Sequence, residues 1–313
     1  MAKKKNITIS DIIIYKFYSG LGYIFKFLFA LFCPKKLSSK REVSDLNVLL
    51  FSGQKGGKML KAVLLSIYST WEKIPHITIG TDGTPNEYFE NIMKFWPFPY
   101  QVKSWKELTG FHLAKGGVNL VEYAEINLYA RKIVCFLAEA ESKPTLYCDT
   151  DVLWFAEPRL PARTSPDGFA FRMSGDNTHS YHPPSLRYFK RQDLLEKPAL
   201  NAGVMYMSGS IYRHYPELEN AMGFFKLFED PFSEQTAFAL IADRLGDSWT
   251  LDEILLSTKD IHWPLIPRYF FSGDHFARHH VATKNSWFWR DALYILLCKK
   301  PNTRRSSAVL NHV

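Results

Sequence analysis

Three short apolar runs in the first half of the chain each stop at a small or acidic residue, with helical spacing between them. Residues 48–51 (VLLF) end at Ser52-Gly53, and residues 58–70 then set Leu60, Val63, Leu64 and Ile67 on one helical face. Residues 76–80 (HITIG) close in the turn-rich TDGTPN, and residues 86–95 read as a short helix stopped by Pro97. Residues 118–140 carry one long apolar helical pattern, and the strand-like 145–148 (TLYC) runs directly into Asp149. Strands alternating with helices specify an α/β fold with a mostly parallel central sheet and helices on both faces. Ligands of such sheets bind at the carboxyl ends of the strands, where Ser52, Asp82 and Asp149 fall.

The pattern changes after Phe155. Shorter strands at 169–173 and 203–207 are separated by polar, Pro-rich stretches such as HSYHPPS, and a helix over 233–245 follows Pro231, a residue suited to a first helical turn. This half reads as an α+β extension that supplies substrate specificity, joined without a linker, so residues 42–313 are expected to form a single domain. At 313 residues and 46% hydrophobic content the chain can bury a substantial core. Its four scattered cysteines give neither a zinc knuckle nor a disulfide framework.

Asp149 and Asp151, with Thr150 between them, sit between two apolar runs (TLYC and VLWF). Two carboxylates in such surroundings carry a desolvation cost that a cation offsets. Hard divalent ions take oxygen ligands and commonly bridge a carboxylate and a diphosphate, which points to Mg²⁺ or Mn²⁺.

The segment TLYCDTDVLW resembles the D-x-D segment of GT-A glycosyltransferases, most closely glycosyltransferase family 8. Four further stretches are similar to that family's motifs and stand in its order. Leu128-Tyr129-Ala130-Arg131 resembles the helix whose arginine contacts the donor. Asn201-Ala202-Gly203-Val204-Met205 resembles the strand beside the sugar site, and Glu234-Gln235 the D-Q pair near the reacting carbon. His279-His280-Val281-Ala282, followed by Trp287, is similar to H-F/Y-x-G-x-x-K-P-W, whose first histidine is the third metal ligand. The chain departs from that motif in having Ala282 for the glycine and Asn285 for the phosphate-binding lysine, with Lys284 one position early.

The resemblance implies a GT-A fold over residues 46–290, with segment 275–290 contacting metal and phosphate. It implies a metal-dependent hexosyltransferase that uses a nucleotide-diphosphate sugar, of the UDP type, and a glycan or lipid-linked acceptor, with retention favoured over inversion. Asp149, Asp151 and His279 are then the metal ligands. Gln235, Glu234 and Asn201 are the catalytic candidates, and Ser52, Asp82, Arg131, Thr150, Gly203 and Lys284 the donor contacts. The imidazole ligand mildly favours Mn²⁺ over Mg²⁺. An inverting reaction would draw its base from Asp176, Glu234 or Asp274. Arg131 could instead be a surface pair, one of His279 and His280 is expected to be structural, and Trp287, Phe288 and Trp289 could stack on a ligand or belong to the core.

Charge is distributed unevenly. Residues 1–41 hold nine Lys and Arg against one acid, so the whole excess of +8 lies there and the rest of the chain is balanced. A balanced main domain argues against nucleic-acid binding. Residues 12–33 are apolar and aromatic but interrupted by Lys16 and Lys26, which leaves nine uncharged residues between them, about half of the ~18 that a spanning helix needs. That pattern suits a helix in the headgroup region of an anionic membrane, with the enzyme cytoplasmic and peripheral; packing on the domain is the alternative, and a single span is disfavoured. Two other functions compete. A haloacid-dehalogenase-type phosphatase would use Asp149, Asp151, Ser208 and the Gly246-Asp247 stretch, and a non-catalytic membrane-associated GT-A-like protein would keep only the fold.

Overall fold

The computed structural model describes residues 9–161, 168–257, 275–281 and 283–298, with side chains from residue 16 onward. Asp274 and Ala282 lie outside the described residues.

The central sheet has seven strands in the order β3-β2-β1-β4-β7-β6-β8. They are β1 (Val43–Ser52), β2 (Ile74–Thr81), β3 (Tyr100–Ser104), β4 (Thr145–Asp149), β6 (Ala170–Gly175), β7 (Leu200–Ser208) and β8 (Asp247–Trp249). Strand β7 alone runs antiparallel to its neighbours β4 and β6, while the other pairs are parallel. A second sheet of three short strands, β5 (Val152–Trp154), β10 (Ala277–His279) and β9 (Ile254–Leu256), grows from the end of β4.

Period-two alternation sorts the core. Val48 and Leu50 of β1 and Leu146 and Cys148 of β4 join the Gly57–Thr70 helix on one face. Leu49 and Tyr147 point the other way, into a layer built by the Ala130–Ser142 and Pro231–Leu245 helices. Burial on both faces explains why the strands read as continuous apolar runs. Each fully buried Val or Leu contributes roughly 1.5–3 kcal/mol.

The long helical pattern over 118–140 is broken. Helices Val118–Ile126 and Ala130–Ser142 meet at Asn127, whose side-chain oxygen accepts from the amides of Tyr129 at 2.8 Å and Ala130 at 3.4 Å. Asparagine side chains compete with the helical ladder in this way, and the break turns Arg131 and Lys132 into the first turn of a new helix.

The N-terminal helix, Ile9–Phe32, packs one face on the C-terminal helix, Trp287–Cys298. Tyr18 meets Trp287 at 4.6 Å between ring centroids, Phe29 meets Trp289 at 5.7 Å, and the Lys26 ammonium lies over the Trp289 ring. Gly22 faces the backbone of Asn285 so closely that a Cβ there would overlap it. Trp287, Phe288 and Trp289 are therefore core residues. Among the described residues, no helix is long and apolar enough to cross a membrane.

Candidate active site

The antiparallel course of β7 makes the site. Because Cys148 pairs with Val204, the chain enters β7 at Asn201-Ala202-Gly203 beside the point where β4 ends in Asp149-Thr150-Asp151. Strand β5 then pairs Val152 with His279, so the third candidate ligand arrives from the far end of the sequence. Asp149, Asp151 and His279 each turn a ligand atom inward, all within 4.8 Å of one another. His279 Nε2 lies 3.3 Å from Asp151 and 3.7 Å from Asp149, and Lys284 Nζ lies 2.7 Å from the second oxygen of Asp151.

The electrostatics follow from this crowding. Burial alone would raise the Asp151 carboxyl, yet His279 and Lys284 hold it well below the usual carboxylate range. Burial disfavours a charged His279, but Asp151 and Asp149 raise its pKa above the ordinary value. The Asp149 carboxylate accepts a hydrogen bond from the Tyr147 hydroxyl, whose own pKa is pushed well up by burial and then by Asp149. Two carboxylates and an imidazole nitrogen in reach of one point fit a divalent cation.

Gly203 supports the candidate ligand His279 in a way its motif does not reveal. A Cβ on Gly203 would come within 2.1 Å of the His279 ring, so the absent side chain is the space the imidazole fills. Asn201 holds the strand entry: its side-chain oxygen accepts from the Gly203 amide at 2.8 Å and its amide donates to Asp176 at 2.9 Å.

The adjacent histidines separate cleanly. His279 faces the carboxylates, while His280 enters a buried network with Thr283 and Asp291, the latter also paired with Arg278. Burial, then Arg278 and Arg290, push the His280 pKa well below the ordinary value, so it is the structural member of the pair.

The loop after β1 abuts Thr150, between the two carboxylates. Gly53 lies against the Asp82 carboxylate, and Gly56 against the hydroxyls of Ser52 and Thr150, leaving no room for a Cβ at either position. Asp82 accepts from the amide and hydroxyl of Thr84, and its carbonyl accepts from Arg131 at 2.7 Å. Arg131 also stacks over Trp105, 4.9 Å from the ring centroid, so it is fixed at the end of β2 rather than in a surface ion pair. The donor-contact candidates Ser52, Asp82 and Thr150 thus converge on one loop, with Arg131 bonded to its Asp82 edge.

Gln235 is half-buried in the first turn of its helix and donates to the Ser180 carbonyl at 3.0 Å. Glu234 is buried and pairs with Lys132 at 2.8 Å. Burial raises its pKa to about 7, against the lowering pull of Lys132. Lys132 is a site residue that sequence reasoning missed. Burial works to lower its pKa, but Glu234, Asp149 and Asp151 together raise it, and its ammonium lies 3.3 Å from the Ala202 carbonyl. Its signal was the spacing 132, 135, 136, 139, which puts Lys132 on the buried stripe of its helix.

No protein-family model matches the sequence, and no curated protein matches it. Solved structures do. The chain aligns with the WbbM bifunctional glycosyltransferase at a TM-score of 0.51 and 11% identity, over 84% of this chain and 51% of that one. The fold is of the GT-A glycosyltransferase type. Mouse xyloside xylosyltransferase 1 aligns at 0.49 and 11% identity over 75% of this chain and 96% of its own, and the galactosyltransferase LgtC at 0.47 and 12% over 80% and 95%.

The phosphatase residues are not assembled in this GT-A-type chain. Strand β7 carries Ser208 to the amino end of β4, opposite to Asp149, and Asp247 is held by Arg172 at the edge of the sheet.

Proposed function

We propose that this chain is a metal-dependent glycosyltransferase, nearest family 8 in the order of its motifs. In this reading it moves a hexosyl group from a nucleotide-diphosphate donor, of the UDP type, to a glycan or lipid-linked acceptor. Fold alone does not carry this reading, because one fold hosts many activities. The observation that carries it is the convergence of Asp149, Asp151 and His279 within 4.8 Å at the end of β4, with Lys284 alongside. A full ligand set also counts against a non-catalytic protein.

Asp149, Asp151 and His279 would hold a divalent ion, Mn²⁺ before Mg²⁺, which would supply Lewis-acid stabilisation of negative charge on a diphosphate leaving group. Lys284 keeps a half-exposed cation at the cluster, in reach of a phosphate. Arg131 holds the Asp82 carbonyl in place and presents fixed positive charge beside the Ser52–Thr150 wall. Asn201 and Gln235 bring neutral amides, which both donate and accept as sugar hydroxyls require. Glu234 is tied to Lys132 at 2.8 Å, and retention stays the favoured outcome on the resemblance to family 8. Asp176, beside Asn201, is the described carboxylate left for an inverting reaction.

A donor screen reading nucleotide-sugar hydrolysis with and without Mn²⁺ tests the proposal. One nucleotide sugar should be turned over only with the metal, and NMR of the product anomer separates retention from inversion. Failure of every nucleotide sugar to bind in the presence of Mn²⁺ would refute the reading.

A further inference from the structure

From residue 16 to Phe32 the N-terminal helix is apolar on two faces, and the protein covers only one. The covered face carries Tyr18, Gly22 and Phe29 against the C-terminal helix. The other carries Phe17, Tyr23, Ile24, Phe27, Leu31 and Phe32, each between 54% and 68% exposed. Phe17, Ile24, Phe27 and Leu31 recur at helical spacing and form a single stripe along the axis. Contiguous apolar surface of this kind on a soluble protein marks an interaction site.

Charge identifies the occupant. Lys16 is exposed at one end of the stripe, and Lys35, Lys36 and Lys40 are exposed just beyond the other. The segment 1–41 holds the entire formal excess of +8. A second copy of the chain would bring the same positive charge against itself, whereas an anionic lipid surface complements it. Tyr and Phe side chains seat at the boundary of headgroup and acyl chain, and flanking lysines reach up to phosphates. Because the inner face is already packed, the helix can lie in the surface without leaving the domain.

We propose that this outer face docks the protein on the headgroup region of an anionic bilayer, with the helix parallel to the surface. The docking is independent of what the carboxylate site binds. Vesicle flotation of the full chain tests it, using phosphatidylcholine alone and phosphatidylcholine mixed with phosphatidylglycerol. The wild-type chain should float with the mixed vesicles and less with the neutral ones. F27E/L31E should lower the bound fraction by roughly tenfold or more, at an unchanged melting temperature. Should that variant melt early, K35E/K36E replaces it, and its loss should appear on the anionic vesicles alone. Equal flotation of wild type and variants would overturn the proposal, as would a wild-type chain bound to neither vesicle. A lipid-free dimer by light scattering that F27E/L31E splits would make a second copy the occupant instead.

Discussion

At the end of β4, Asp149, Asp151, His279 and Lys284 gather charge around a point that solvent reaches through the half-buried Asp149 and the exposed Lys284. Beside them Lys132 and Glu234 face each other with both side chains almost wholly buried. The two groups influence each other, since Asp149 raises the pKa of both Lys132 and Glu234. Yet they are built differently. The first leaves ligand atoms turned toward a shared, accessible centre, which is how a site is made for something from outside. The second satisfies its charges internally, which fixes the Ala130–Ser142 and Pro231–Leu245 helices against β7. Substitutions in the first should therefore cost function without fold, and in the second fold before function.

The largest effect falls on the open cluster. Asp151→Ala should cut metal-dependent donor turnover by roughly a thousandfold or more, the scale of several kcal/mol of charge stabilisation, while the thermal melt stays near wild type. A melt that collapses along with turnover would erase the distinction between the two groups.

Next in size is the closed pair. Lys132→Met leaves a buried carboxylate without its partner and should cost roughly 3–5 kcal/mol of stability near neutral pH by denaturant titration. The cost should shrink near pH 5, where Glu234 holds its proton in the wild type and the variant alike. In the wild type the Glu234 pKa is raised from 4.5 to about 7. Its contribution is thus fully present below pH 4.5 and is lost as pH rises through about 7, because the folded state holds the proton longer. Glu234→Gln should abolish that decline. A Lys132→Met penalty that is the same at both pH values would show that the pair is not what the variant disrupts.

Gly203→Ala probes how the open cluster is held. The added methyl displaces the His279 ring, and misplacing a ligand or its support costs about 10- to 100-fold in metal affinity. Mn²⁺ titration followed by water-proton relaxation reads it directly. Unchanged affinity would mean that His279 does not ligate.

The smallest effect is expected at Gln235, which belongs to neither group. Gln235→Ala should lower kcat by about tenfold, roughly 1.4 kcal/mol, with little change in donor affinity. A rise in KM alone would assign it to binding.

Much of this is legible in the amino-acid sequence. Strands β1, β2 and β4 are buried on both faces, so their apolar runs stand out, and the carboxylates at the end of β4 follow directly. Strand β3 lies at the sheet edge and is only half-buried, which leaves Tyr100–Ser104 without an apolar signature. The break at Asn127 was hidden because apolar spacing continues across it, and the cap that causes it is a local side-chain contact. The buried role of Lys132 is masked, because a lysine beside Arg131 in a first helical turn reads as an ordinary surface cation. The partner that keeps Lys132 buried, Glu234, lies about a hundred residues away, beyond the reach of local pattern. The sorting of His279 from His280 likewise depends on β10 pairing with β5, which only the fold provides.

The central claim is that Asp149, Asp151 and His279 form a divalent-metal site serving a nucleotide diphosphate. Isothermal calorimetry of a nucleoside diphosphate titrated into the wild-type chain, with and without Mn²⁺, tests it most directly. The account predicts binding that requires Mn²⁺ and is lost in Asp151→Ala; equal affinity with and without the ion, or in both proteins, would contradict it.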